Sequence, residues 1–496
     1  MQANDIPRAM LKPLRRALAA LSALTVLTAP ALAAPRQQGD VLIRHATIVD
    51  VEKARTVPDQ AIVTRGGAIV AVGPDKAIAR DWAAPRTLEA AHRFVIPGLW
   101  DMHVHFGGGP DLIAENKALL PLYVAHGITT IRDCAGDLPY DVLAWRDEIA
   151  RGSLFGPNLL TSGPKIEGLK PIWKGTLEAG SKADVDAALA RLQGLKVDFV
   201  KITDSTLDPQ LFLYAVARAK ALGLRSSGHI PMALTVRQAV DAGLSSIEHL
   251  DYARHPGSPD EAAIAADFAA GRINRAEANR RLATSFDHAT AMAAYRRFAA
   301  DGLAVTPTLN GSRIIAHLDD EDHSHDAYLA YIGPKLRKTY DWRIERAAKA
   351  TPAEIAARHA DIERVGAILP MLVEAGVPIM AGTDAGFLNS FNYPGIGLHD
   401  ELDLFVAKGL TPAQALTAAT RAGPAWFGKL DRYGAIAPGK VADIVLLTAN
   451  PLTDIHATRA IDTVILRGRV HDRAALDAML AEARAKVAAW NAETAQ

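Results

Sequence analysis

At 496 residues the chain exceeds one small domain and has room for a large barrel with an accessory unit. Its 49% hydrophobic and 22% charged residues match an ordinary soluble globular protein and exclude extensive disorder away from the termini. A formal net charge of zero argues against a nucleic-acid partner, and a single cysteine, Cys134, excludes an internal disulfide framework and a Cys-based zinc site.

Read from the amino terminus, Arg8, Lys12, Arg15 and Arg16 make a positive region, Ala17 to Ala29 is apolar, and Ala31-Leu32-Ala33 offers small residues for cleavage. Residues 1–34 are therefore expected to be a signal peptide, and the mature protein to be exported, periplasmic or secreted. The apolar run is short for a membrane span, so no stable membrane insertion is expected; a retained anchor is the rival reading. Residues 35–96 carry short strand-like runs such as Val41-Leu42-Ile43 and Ala61-Ile62-Val63, separated by turn residues such as Gly66-Gly67. The carboxyl end, 433–496, repeats this texture in Ile444-Val445-Leu446-Leu447 and Thr463-Val464-Ile465-Leu466 before a last helix. One small β-sandwich built from both termini is expected.

Between them, 97–432 alternates short apolar strands with Ala/Leu-rich helices, the pattern of βα units. The fold class expected is α/β, a (β/α)8 TIM-like barrel. Its candidate strands end at His105, Asp133, Ser162, Ile202, His229, His249 and Thr306, and the eighth leads from Pro378-Ile379-Met380 to Asp384. Two connections are long, Leu250 to Leu303 and Leu309 to Gly376. They are read as solvated surface, a lid or an oligomer contact.

His103 and His105 stand two residues apart on a strand and so face the same way. Lys201, His229, His249 and Asp384 fall at later strand ends, where barrel active sites lie. Each residue alone has a plain explanation: a polar surface histidine, a solvated lysine, an Asp capping the next helix. Together they read as a metal site. His103, His105 and Asp384 would hold one ion, His229 and His249 a second, with zinc the first choice for neutral imidazole and carboxylate ligands. Something anionic should bridge two dications. Lys201, flanked by apolar residues, can do so only as a carbamate formed with carbon dioxide, because an ammonium cannot ligate. A water bridging two ions loses a proton near neutral pH, and Asp384 can take that proton and return it to a leaving nitrogen. This chemistry serves an amide, an ester, a lactone or a cyclic imide alike. Arg132, Lys165 and Tyr252 are candidate anchors for a substrate carboxylate. His399 is a further substrate-binding candidate or a helix cap.

These residues resemble the amidohydrolase superfamily. The resemblance rests on Val95-Ile96-Pro97-Gly98-Leu99-Trp100-Asp101-Met102-His103-Val104-His105, Gly127 to Asp133, Ser246-Ile247-Glu248-His249, Ala381-Gly382-Thr383-Asp384 and Ile436 to Asp443. Within it the chain is most similar to the imidazolonepropionase-like group that includes prolidase-type dipeptidases. The resemblance implies two metal ions bridged by a carboxylated lysine, carried over here to Lys201. It also implies hydrolysis of a small-molecule amide, a dipeptide or an N-acyl amino acid, and a homo-oligomer. One departure stands out: many relatives have His-Ala-His-Gly at the fifth strand, and this chain has Gly228-His229-Ile230-Pro231. A cyclic amide, lactone or organophosphate ester remains an alternative substrate. A non-catalytic exported binding protein is the reading from another class.

Overall fold

The protein is described by a computed structural model covering residues 36–494. The expected signal peptide lies outside the described residues. Among the described residues no helix is long and apolar enough to cross a membrane.

The middle of the chain is a ring of parallel strands. Leu99–Val104 pairs with Ile128–Asp133, which pairs with Asn158–Thr161. The third segment bends at Gly163, in the left-handed region at φ +60°, and resumes as Ile166–Glu167 beside Val200–Ile202. Ser226–Gly228, Ser246–Glu248 and Ala304–Thr306 follow in order. The first two strands are buried at every residue, as expected where one face of a barrel strand meets the outer helices and the other the packed interior.

The eighth segment differs from expectation in having no regular strand. Single bridges hold it, Ile379 to Val305 and Ala385 to Val104. Met380 N–H donates to Val305 O at 2.9 Å, and Met102 N–H donates to Ala381 O at 2.8 Å. The last segment is thereby tied to both the seventh and the first strand, and the ring returns to its start. Two residues explain the irregularity. Pro378 has no N–H to donate. At Gly382 an added Cβ would sit 2.5 Å from Thr306 Cγ2 and 2.9 Å from His103 N, so only glycine lets the backbones approach this closely.

Strands from the two ends of the chain meet in one hydrogen-bonded sheet. Phe94–Pro97 joins them: one side pairs with Val41–Asp50, the other, antiparallel, with Ile444–Leu447. Arg55–Arg65 and Ala68–Pro74 extend one edge, and Ile461–Leu466 and Arg469–Asp472 the other. A bridge from Ala68 to Val441 brings the far edge back towards the Ile444 strand. The sheet folds over an apolar cluster that includes Ile43, Ile62, Ile69, Val95, Ile444 and Ile465. The expected sandwich is thus one continuous sheet rather than two separate ones. The C-terminal helix, Arg473–Thr494, packs on the Leu120–Ala125 helix of the barrel as well as on the last two strands.

Thr411 accepts from Gln414 N–H, and the Gln414 side chain returns to Thr411 N–H, a capping box with Pro412 opening the helix. The two long connections are largely helical. The second contributes the short helix Asp341–Ala347 to the rim of the barrel.

Candidate metal centre

The first strand delivers His103 and His105 to the carboxyl end of the ring. Their Nε2 atoms are 3.1 Å apart. Asp384 Oδ1 lies 3.4 Å from His103 Nε2 and 2.9 Å from His105 Nε2. Across the ring, His229 Nε2 and His249 Nε2 are 3.0 Å apart, and the His103 and His249 rings lie 5.1 Å apart between centroids. Lys201 is 1% exposed, and its Nζ is buried with no hydrogen-bond partner. The structure therefore gathers all six strand-end residues singled out in the sequence.

The outward ring nitrogens are occupied. His103 Nδ1–H donates to Glu248 Oε2 at 2.7 Å, His105 Nδ1–H to Ala135 O, and His249 Nδ1 meets Thr308 Oγ1 at 2.8 Å. This leaves the Nε2 atoms of all three free to face a cation. Burial pushes His103 down to about 3 and holds His229 and His249 below the ordinary histidine range, so these rings are neutral at neutral pH. Burial alone would raise the Asp384 carboxyl, but its close contact with His105 and the nearness of His249 and His103 hold it well below the usual carboxylate range.

Backbone strain marks the same places. His249 (φ +70°), Thr308 (φ +50°) and Asp384 (φ +63°) are non-glycine residues in the left-handed region. Asp384 N–H donates to His103 O at 2.6 Å. No helix starts until Ile396, so Asp384 does not cap one. His103, Cys134 and Glu248 also cluster, but burial pushes the Cys134 thiol up to about 12, and Glu248 is committed to Arg132, Ser227 and Ser246. That group is internal scaffolding.

Above these residues opens a cavity of about 150 Å³ whose lining includes Lys165, Trp173, His229, Arg343 and Asp384. A larger cleft of about 460 Å³ over Asp319 to Ser324 holds none of the six strand-end residues. Of the four substrate-binding candidates, Lys165 lines the cavity, with its ammonium 5.2 Å from the Trp173 ring centroid. Burial and the charge of Lys201 push it down to about 8. Tyr252 stacks on His229 with centroids 5.9 Å apart.

The other two candidates are corrected. Arg132 is fully buried beneath the site, donating to Met102 O, to Glu248 Oε2 at 2.7 Å and to Thr306 Oγ1. It neutralises Glu248 and reaches no substrate. His399 is fully buried away from the cavity, with Nε2–H donating to His126 O at 3.0 Å and Nδ1 facing Thr458 Oγ1 at 2.9 Å. Sequence reasoning missed Arg343, Trp173 and Asn389. Arg343 and Trp173 sit in long loops or insertions without periodicity. Only the nearness of Asn389 to Asp384 in the chain was a usable signal.

The chain is similar to known proteins over most of its length. Residues 94–471 match the family described as "Amidohydrolase family". A 103-residue segment is 37% identical to an adenine deaminase of Ruegeria pomeroyi, covering 20% of this chain and only 16% of that relative. A bottromycin amidohydrolase structure is similar with a TM-score of 0.69 at 22% identity, over 90% of each chain. A Xaa-Pro dipeptidase with methionine bound in its active site is similar with a TM-score of 0.63 at 19% identity, over 87% of this chain and 99% of that one.

Proposed function

The chain belongs to the amidohydrolase family, and on that premise we propose that it is an exported, metal-dependent hydrolase of a carbon–nitrogen amide bond, acting on a dipeptide or an N-acyl amino acid. One observation carries this reading: four imidazoles, one carboxylate and one unpartnered buried lysine nitrogen converge at the ends of the barrel strands below a single cavity.

The donor set fits two divalent cations, zinc first among them. His103, His105 and Asp384 would hold one, His229 and His249 the other. Lys201 fits the bridging role through its orphaned nitrogen: a bare ammonium buried without a partner is unfavourable, whereas its carbamate would offer two oxygens between two cations. Bound there, the ions would acidify a water and polarise the substrate carbonyl.

The chain's own residues supply the rest. Glu248, Ala135 and Thr308 fix which ring nitrogens face inward. Asp384, ionised at neutral pH, would accept the proton of the attacking water and pass it to the leaving nitrogen. Trp173 and Phe387 give the cavity an apolar wall, and Tyr252, which does not line it, packs against the His229 ring. The dipeptide reading takes support from the likeness to a Xaa-Pro dipeptidase fold, and export from the pattern of Arg8 to Ala34.

The test is turnover by metal-loaded protein on a panel of dipeptides and N-acyl amino acids, with cyclic amides, lactones and organophosphate esters alongside. Cleavage of the open-chain amides alone supports the reading. Cleavage confined to the cyclic compounds or esters replaces it.

A further inference from the structure

Arg343 is a guanidinium at the cavity with no carboxylate partner. Among the described residues it makes no ion pair. Its Nε–H donates to Leu388 O at 2.8 Å and its Nη2–H to Asn389 Oδ1 at 2.7 Å, both neutral acceptors. Burial disfavours its charge, as does Arg346, and the anion that acts to favour it is Asp384, which the metal centre would claim. Lys165, the other cation lining the cavity, has no ion-pair partner either among the described residues. A partly buried cation without a counter-ion is unfavourable unless something supplies one.

Asn389 fixes the placement. Its Oδ1 accepts from Arg343, while its Nδ2–H donates to the backbone oxygen of Asp384. The guanidinium is therefore tied, through one side chain, to the residue placed at the reacting bond. A planar fork held in this way suits a carboxylate.

Resting on the amide-hydrolase reading, we propose that Arg343 binds the free α-carboxylate of the substrate's C-terminal amino acid, so that the enzyme requires an acid rather than an amide or ester at that end. A charged hydrogen bond of this type is worth about 10- to 100-fold in kcat/KM.

The experiment compares N-acyl amino acids with their C-terminal amides, using metal-loaded wild type, Arg343→Gln and Arg343→Lys. Wild type should prefer acids over amides by at least about 10-fold. In Arg343→Gln the preference should collapse, mainly through KM, and Arg343→Lys should restore part of it. Equal cleavage of acids and amides by wild type, or an undiminished preference in Arg343→Gln, overturns the proposal and leaves the hydrolase reading standing. If neither series is cleaved, the hydrolase reading falls. Calorimetric binding of the same pairs then decides: acids binding more tightly than amides, with the difference lost in Arg343→Gln, supports the anchor, and equal or absent binding removes it.

Discussion

His103 Nδ1 and Glu248 Oε2 are 2.7 Å apart, both side chains fully buried, and the same carboxylate oxygen accepts from Arg132 Nη2 at 2.7 Å. The imidazole is thus oriented by a carboxylate whose charge is balanced from below. Burial would raise Glu248, but Arg132 and His103 hold it well below its usual range, so it stays ionised beneath the site.

Glu248→Gln removes that charge and strands Arg132. Metal affinity should fall about 10- to 100-fold, and unfolding free energy by about 3–5 kcal/mol, as for a broken buried ion pair. Competition with a chromophoric chelator and thermal melts read the two effects. Wild-type affinity in the variant would refute the orienting role.

Lys201→Ala should lower metal content from about two ions per chain to one or none, because only a carbamate there can bridge two ions. Elemental analysis of wild type and variant checks this. Equal metal in both would mean that Lys201 does not bridge and that the centre holds a single ion.

Asp384→Asn keeps the size of the side chain and removes its capacity to accept a proton. Turnover should drop by about 100- to 10,000-fold, with the fold retained by circular dichroism. A variant that folds and retains near-wild-type kcat would place the proton acceptor elsewhere.

His399 is fully buried and its neighbour His126 half-buried, and desolvation pushes them down to about 3 and about 4 respectively. In the unfolded chain both titrate near 6.5. Between that value and the folded pKa the unfolded state binds more protons, so stability falls as pH drops from about 6.5 towards 3 and is regained above it. Metal-free protein melted across this range should show the decline, and His399→Gln should flatten it. An unchanged slope in the variant would exclude His399 as a source of the acid sensitivity.

The sequence by itself determined which six residues gather at the strand ends, and the class of fold. His103-Val104-His105 is a strand pattern, Lys201 lies within the apolar run Phe199 to Ile202, and His229 and His249 follow the short strands Ser226–Gly228 and Ser246–Glu248, which the βα rhythm of the chain marks rather than their own polar composition. What only the tertiary structure decided is what each polar group meets. Arg132 and His399 looked like reachable functional residues, yet both are fully buried among partners distant in the chain: Glu248 and Thr306 for one, His126 and Thr458 for the other. Arg343 gave no signal, since its helix lies in an insertion and its role arises from Asn389 and the cavity wall. The eighth barrel segment likewise read as a strand, but the close approach at Gly382 reduces it to bridges. Local periodicity fixes which residues sit at strand ends. The hydrogen bonds and charge balance that give them tasks are long-range, and no local pattern encodes them.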